Sequence, residues 1–200
     1  MAIRPIIIAP DPRLKKRAAP VEAVDGEIRR LMDDMLETMY AAPGIGLAAP
    51  QLGVLKRVIV VDTARKDEPP APLFLANPEL LGVGEAEASY EEGCLSLPDQ
   101  FADVVRPESC RLRYLDKDNQ VQEMEAEGLL ATCIQHEMDH LEGLLFVDHI
   151  SALKRNMILR RLTKQKKAEK SDVWVPKLRT ANAEVVGAEV MKEEDAARVG

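Results

Sequence analysis

The stretch Gln135-His136-Glu137-Met138-Asp139-His140-Leu141-Glu142-Gly143, QHEMDHLEG, holds two of the chain's 3 histidines. At about 100° per residue, positions four apart lie about 40° apart on one helix stripe, so His136 and His140 can reach one metal ion from adjacent turns. Glu137 stands directly after the first histidine, where H-E-x-x-H sites carry a general base. An ordinary amphipathic helix with inward-facing histidines would show the same spacing. The pattern predicts a helix from about Gly128 to Glu142, with Gly143 where a C-terminal glycine belongs.

Two histidines do not complete a site. A catalytic zinc-like centre usually has three protein ligands and an open position. The metzincin pattern requires a third histidine at position 146, but that residue is Phe146, and His149 comes three residues too late. A thermolysin-like site needs a glutamate on a following helix, where Glu169 stands alone in a basic stretch. Cys133 lies close to the histidine stripe. Three ligands from one straight helix would lie almost in a line, however, so Cys133 reads better as a small apolar group lining a pocket. Cys110 alternates with Leu112 and Tyr114 and reads as core. Cys94, within EEGCLSLP (91–98), follows a glycine and precedes a proline-terminated loop. Its spacing allows two readings: a ligand carried to the helix by a bend, or an ordinary loop thiol.

Two hundred residues suit one domain with ample apolar content for a core. A formal net charge of -7 argues against a surface coated overall for nucleic acid. The charge is unevenly spread. Residues 151–170 carry eight Lys or Arg against Glu169 alone, a net of +7, so the remainder carries −14 of the total of −7. The 3 cysteines are too few and of the wrong parity for a disulfide framework, and read as thiols of a reducing compartment. The apolar run PIIIAP (5–10) is too short for a signal peptide or membrane span, and no later stretch approaches about 18 apolar residues. A soluble, cytoplasmic protein is expected.

The remaining elements follow from periodicity. IIIAPDPRL (6–14) reads as a short strand entering a Pro-rich turn. Ile28, Leu31, Met32, Met35, Leu36 and Met39 recur at helical spacing, with Asp25 as N-cap and Pro43-Gly44 as the stop. Residues 57–62 form a buried strand, and strand-like pieces follow around 73–76, 79–83 and 86–91. SCRLRYLD and QVQEMEAE alternate by twos across a KDN turn, which predicts a hairpin. A second helix covers roughly 151–170. Its apolar positions Ile150, Leu153, Met157, Ile158 and Leu162 would hold it on the domain, leaving the basic residues outward. A catalytic domain over 1–170 is expected, with 171–200 a loosely attached extension. Grouped antiparallel strands with few helices indicate an α+β fold.

Three separated stretches, GIGLAAPQ (44–51), EGCLS (92–96) and QHEMDH (135–140), together resemble the peptide deformylase family in order and spacing. The resemblance covers roughly residues 1–165. Pro50 fills a variable slot and Leu97 replaces a more usual Ile or Val; neither change touches a polar catalytic group. The resemblance implies antiparallel β-sheets packed around a central metal-binding H-E-x-x-H helix, with an N-terminal and a C-terminal helix. It implies a hydrolase that removes the N-formyl group from the starting methionine of new polypeptides, releasing formate; a monomer is expected. Cys94, His136 and His140 would then bind one divalent ion, Fe2+ by resemblance, with Zn2+, Ni2+ or Co2+ as substitutes. Glu137 would move the proton, and the Gln51 side-chain amide with the Leu95 backbone N–H would stabilise the oxyanion. Taken alone, Gln51 reads more simply as a surface amide after a proline turn.

GIGLAA lacks the Lys and Ser/Thr of a phosphate loop, so nucleotide binding is not expected. By resemblance, Ile45 and Gly46 would hold an extended peptide as an added strand. Leu129, Thr132 and Cys133, one or two turns before His136, fall where a pocket for the methionine side chain would open. Arg106 and Glu92 are expected to pair near the Cys94 loop. The basic helix 151–170 would contact the ribosome through its RNA.

Overall fold

The computed structural model describes residues 2–65, 67–169, 171 and 173–176. Strand β1 spans Ile6–Ile7, helix α1 Gly26–Ala41, and strands β2, β3 and β4 span Gly46–Ala48, Val58–Val61 and Leu73–Val83. A long hairpin follows, of β5 (Glu87–Cys94) and β6 (Leu97–Pro107), and then a second, of β7 (Ser109–Leu115) and β8 (Val121–Glu127). Helices α2 (Gly128–Leu141) and α3 (Ala152–Glu169) come next, and β9 (Val173–Trp174) closes the described chain. The strands pair antiparallel throughout, in a five-stranded sheet ordered β2-β3-β4-β7-β8 and two two-stranded sheets, β5-β6 and β1-β9. The fold is of the α+β class.

β3 shows why the sequence folds this way. All four of its residues are fully buried. Ile59 and Val61 face a cluster with Ala131, Ile134 and Leu141 of α2, while Val58 and Val60 face Met32, Met35 and Met39 of α1. A strand covered on both faces needs a continuous apolar run, and Val-Ile-Val-Val supplies it. The α1 methionines are 0% exposed, each contributing about 1.5–3 kcal/mol of burial. Asp25 caps α1, its carboxylate accepting from the N–H groups of Glu27 and Ile28 at 2.9 Å each. Gly143 follows α2 with φ 75, and a Cβ there would meet the Lys15 carbonyl carbon at 2.7 Å, so only glycine fits.

Four differences from the sequence expectations stand out. The pieces expected at 73–76 and 79–83 are one strand, β4, whose register shifts at Ala76/Glu79 and Leu80/Gly82 break the sequence alternation. β6 went unpredicted because its buried positions include Gln100 and Arg106 beside Leu97 and Val104. The expected stripe of α3 is only partly inward: Ile158 and Leu162 are buried, whereas Leu153 is 73% and Met157 47% exposed. The drift of 3.6-residue periodicity carries those two onto the outer face beside the basic residues. Finally, Val173–Trp174 pair with Ile6–Ile7, so the segment from 171, expected to be loosely attached, begins with a fixed strand. Residues 177–200 lie outside the described residues. Among the described residues no helix is long and apolar enough to cross a membrane.

Candidate metal centre and catalytic cleft

Register decides where Cys94 goes. β5 and β6 pair regularly up to Gly93 opposite Phe101, and then Cys94 stands opposite Leu97, leaving Leu95-Ser96 as a tight turn. The Ser96 carbonyl accepts from the Ala9 N–H at 2.8 Å, which anchors that turn. The Cys94 Sγ lies 3.3 Å from Nε2 of His140. The ligand atoms of Cys94, His136 and His140 all fall within 4.8 Å of one another. That is the scale set by metal–donor bonds of about 2.0–2.3 Å. The two rings meet edge to face with centroids 5.1 Å apart. Burial, with the neighbouring His136 and Arg106, holds His140 well below the usual histidine range. Burial acts on His136 in the same sense, but its hydrogen bonds to Cys94 and Glu92 outweigh this and push it well up, so a metal would have to displace the His136 proton. A thiol and two buried imidazoles converging from a hairpin and a helix fit a divalent ion.

A chain of charged groups orients the His136 ring. Its Nδ1 lies 2.7 Å from Glu92 Oε2, which points Nε2 away from the carboxylate. Arg106 donates to both Glu92 oxygens, at 2.6 and 3.1 Å, and to Asp139 at 2.8 Å; Asp139 in turn meets His149 Nε2 at 2.7 Å. Glu92 is 0% exposed. Burial pushes its pKa up, but the hydrogen bonds from His136 and Arg106 outweigh this and bring it to about 2. Phe146, where a metzincin histidine would fall, instead stacks on His136 with centroids 6.3 Å apart. The expected pairing of Arg106 with Glu92 is present, and the third histidine belongs to this outer network.

Glu137 sits under Gly46. A Cβ at position 46 would collide with the Glu137 carboxylate and come within 2.8 Å of Cys133 Sγ. The absence of a side chain at 46 is therefore what admits Glu137 to the cleft. Burial, reinforced by Glu92 and Asp139 against the opposing His136 and Arg106, pushes the Glu137 pKa to about 7. Gln51 is 1% exposed, not a surface amide. Its Oε1 accepts from the Ala48 N–H at 2.8 Å, and its Nε2 donates to Ser96 Oγ at 3.2 Å and to Cys94 Sγ at 3.6 Å. Cys133 is buried, and its Sγ donates to the Ile45 carbonyl at 3.5 Å. Burial and the neighbouring Glu137 and Glu92 push this thiol well up. It stays neutral, as a pocket wall should.

A cleft of about 360 Å³ brings together Ile45, Gly46, Gln51, Cys94, Leu95, Cys133, His136 and Glu137. Leu129 and Thr132 lie outside its lining. Thr132 points about 100° round the helix from Cys133, away from the cleft, and Leu129 lies about two turns of axis from His136. Sequence reasoning missed Ser96, whose hydroxyl holds the Gln51 amide, and the outer wall of the cleft, Phe101, Leu162 and Trp174. Leu162 was marked only as a core position of α3; Ser96 arrives with the β5-β6 turn, Phe101 through β6 and Trp174 through the β1-β9 pairing.

An apolar cleft with a Cys-His-His cluster and a buried carboxylate beside it has the make-up of a metal-dependent hydrolase. The comparisons make this specific. Residues 3–156 match the family model described as polypeptide deformylase. A peptide deformylase of Mesorhizobium japonicum is 58% identical over 164 residues, covering 82% of this chain and 93% of that one. The crystal structure of peptide deformylase from Ehrlichia chaffeensis superposes with TM-score 0.81 at 36% identity, over 85% of this chain and 100% of that one. A Met-Ala-Ser bound peptide deformylase from Acinetobacter baumannii superposes with TM-score 0.70 at 36% identity, over 74% of this chain and 99% of that one. The chain belongs to the peptide deformylase family, metal-dependent hydrolases that remove the N-formyl group from newly made polypeptides.

Proposed function

We propose that Cys94, His136 and His140 hold one Fe2+ ion, with α2 as the metal-binding helix about which the sheets are arranged. The observation that carries this reading is the convergence of three ligand atoms within 4.8 Å beside Glu137. Zn2+, Ni2+ or Co2+ would suit the same donors. When bound, the ion supplies Lewis acidity and lowers the pKa of water held beside it. Glu137 accepts the proton of the attacking water. It then delivers that proton to the peptide nitrogen as the C–N bond breaks and the bonding pair moves to nitrogen, giving formate and a free amine. Burial raises this carboxyl above the usual carboxylate range, the direction that suits a group which must both take and give a proton.

The Gln51 Nε2–H and the Leu95 backbone N–H stabilise the oxyanion, and Gln51 is already fixed for this by Ala48 and Ser96. Ile45 and Gly46, at the start of the edge strand β2, bind the peptide as an added strand. The methionine side chain packs against Cys133, with Thr132 and Leu129 behind it along the helix. The Met-Ala-Ser peptide held by the Acinetobacter baumannii relative is the kind of ligand such a cleft accommodates.

The exposed Arg160, Arg161, Lys164 and Lys167 of α3 form a basic face for ribosomal RNA. Lys166 faces the cleft instead and is not part of that face. We read the enzyme as a monomer of the cytoplasm, where the Cys94 thiolate escapes oxidation. Anaerobically purified protein, assayed for formate release from formyl-Met peptides with metal counted in the same sample, tests the reading. Formate with no cleavage of internal peptide bonds is expected; proteolysis without formate overturns it.

A further inference from the structure

The chain's third histidine stands apart from the metal cluster, yet it joins the residues that hold one of its ligands. His149 Nε2 lies 2.7 Å from Asp139 Oδ2; a carboxylate only accepts, so that nitrogen carries the proton. Arg106 Nη1 donates to the same oxygen at 2.8 Å. Arg106 also donates to both oxygens of Glu92, and Glu92 Oε2 meets His136 Nδ1. These links are not equally secure. The side chains of Glu92 and Arg106 are 0% and 6% exposed, but that of Asp139 is 19% exposed and borders a second cavity of about 700 Å³. Gln135, Met138, Asp139 and Glu142 line that cavity and recur every three or four residues, which places it on the face of α2 turned away from Cys133, His136 and Glu137. The Asp139 carboxylate has room to turn into it. His149 opposes this from a fixed position. It follows a single helical turn, Phe146–Asp148, and its N–H donates to the Phe146 carbonyl at 3.0 Å. Asp148 closes that turn by accepting from the Leu145 N–H at 2.8 Å and pairs with Lys15 and Arg155.

Resting on the Cys94-His136-His140 centre, we infer that His149 is a positioning residue: it pins Asp139 against Arg106, and so fixes the Glu92 carboxylate and the His136 ring. Without the His149 bond, the half of Asp139 that faces the cavity takes its hydrogen bonds from water. Arg106, buried and needing a partner at Nη1, turns to follow it, and its grip on Glu92 loosens. The His136 ring then spreads over a wider range of angles, and fewer of them aim Nε2 at Cys94 and His140. The effect is smaller than losing Glu92 itself, because two intervening links absorb part of it.

The test measures Zn2+ affinity of the full-length protein by competition against a chelator. His149→Ala is expected to bind Zn2+ roughly 3- to 10-fold more weakly, at or below the low end of what losing a direct orienting partner costs. His149→Gln should restore most of the affinity, because its amide nitrogen reaches the place of the imidazole Nε2. His149→Asn, whose amide nitrogen falls at the Nδ1 position, should behave like His149→Ala. In an Asp139→Ala background, His149→Ala should change nothing further, since both residues act through one bond. A histidine that merely steadied the turn would give losses that add, with no rescue by Gln. The inference is overturned if His149→Ala binds Zn2+ as wild type does, if the losses add in the Asp139→Ala background, or if His149→Gln fares no better than His149→Ala. Wild-type protein that takes up no Zn2+ defeats the metal centre itself, and the inference with it. Stoichiometric Zn2+ in wild type with equal affinity in His149→Ala defeats the inference alone.

Discussion

Glu92 Oε2 and His136 Nδ1 stand 2.7 Å apart, with no solvent reaching the carboxylate. The contact turns the other ring nitrogen toward Cys94 and His140. Arg106 keeps Glu92 ionised and in place through two hydrogen bonds. Glu92→Ala should therefore weaken metal affinity about 10- to 100-fold, the usual effect of losing such an orienting partner. Competition against a chelator measures this; affinity equal to wild type would mean the pair does not orient the ligand.

The same pair makes a pH prediction. The folded-state pKa of Glu92 is depressed to about 2 from 4.5. A depressed carboxylate contributes stability above its unfolded pKa and loses it as pH falls through the folded value. Metal-free protein should thus lose thermal stability between about pH 4.5 and about pH 2. Glu92→Gln should flatten that part of the Tm profile. An unchanged slope in the variant would place the acid sensitivity elsewhere.

Gly46→Ala should abolish turnover without releasing metal. The added methyl would meet the Glu137 carboxylate and Cys133, not the metal ligands. A loss on the order of 10²–10⁴ in kcat is expected, like that of Glu137→Gln, since both remove a correctly placed proton carrier. Full activity in Glu137→Gln would exclude Glu137 as the base, and full activity in Gly46→Ala would show that its carboxylate is not held by the missing side chain at 46.

Much of this was legible from local pattern. The α1 stripe, the β3 run, the β7-β8 hairpin and the histidine helix each follow from periodicity and capping. Spacing alone could not show that Cys94 reaches the two histidines, because what brings it there is a register slip after Gly93. β6 stayed hidden because Arg106, a charged residue, occupies a buried position where Glu92 and Asp139 satisfy it. Gln51 looked like a surface amide because the partners that bury it, Ala48 and Ser96, include one 45 residues away in sequence. Leu153 and Met157 misled in the other direction, since apolar residues on a helix do not all face inward.

Their exposure beside the basic residues of α3 bears on ribosome docking. Replacing Arg160, Arg161, Lys164 and Lys167 with Ala should weaken ribosome binding and reduce its salt dependence, by about one unit of log–log slope per lost phosphate contact. Hydrolysis of a short formyl-Met peptide should change little. Ribosome affinity that ignores both the four changes and the salt concentration would rule the docking role out.

The ligand set is tested most directly by counting metal in two cysteine variants purified anaerobically. Cys94 places its Sγ 3.3 Å from His140 Nε2, whereas Cys133 gives its S–H to the Ile45 carbonyl. Cys94→Ala should lose most of its metal and its formate release together. Cys133→Ala should stay near-stoichiometric in metal and show mainly a higher KM for formyl-Met peptides. Metal retained by Cys94→Ala and lost by Cys133→Ala would contradict the account at its centre.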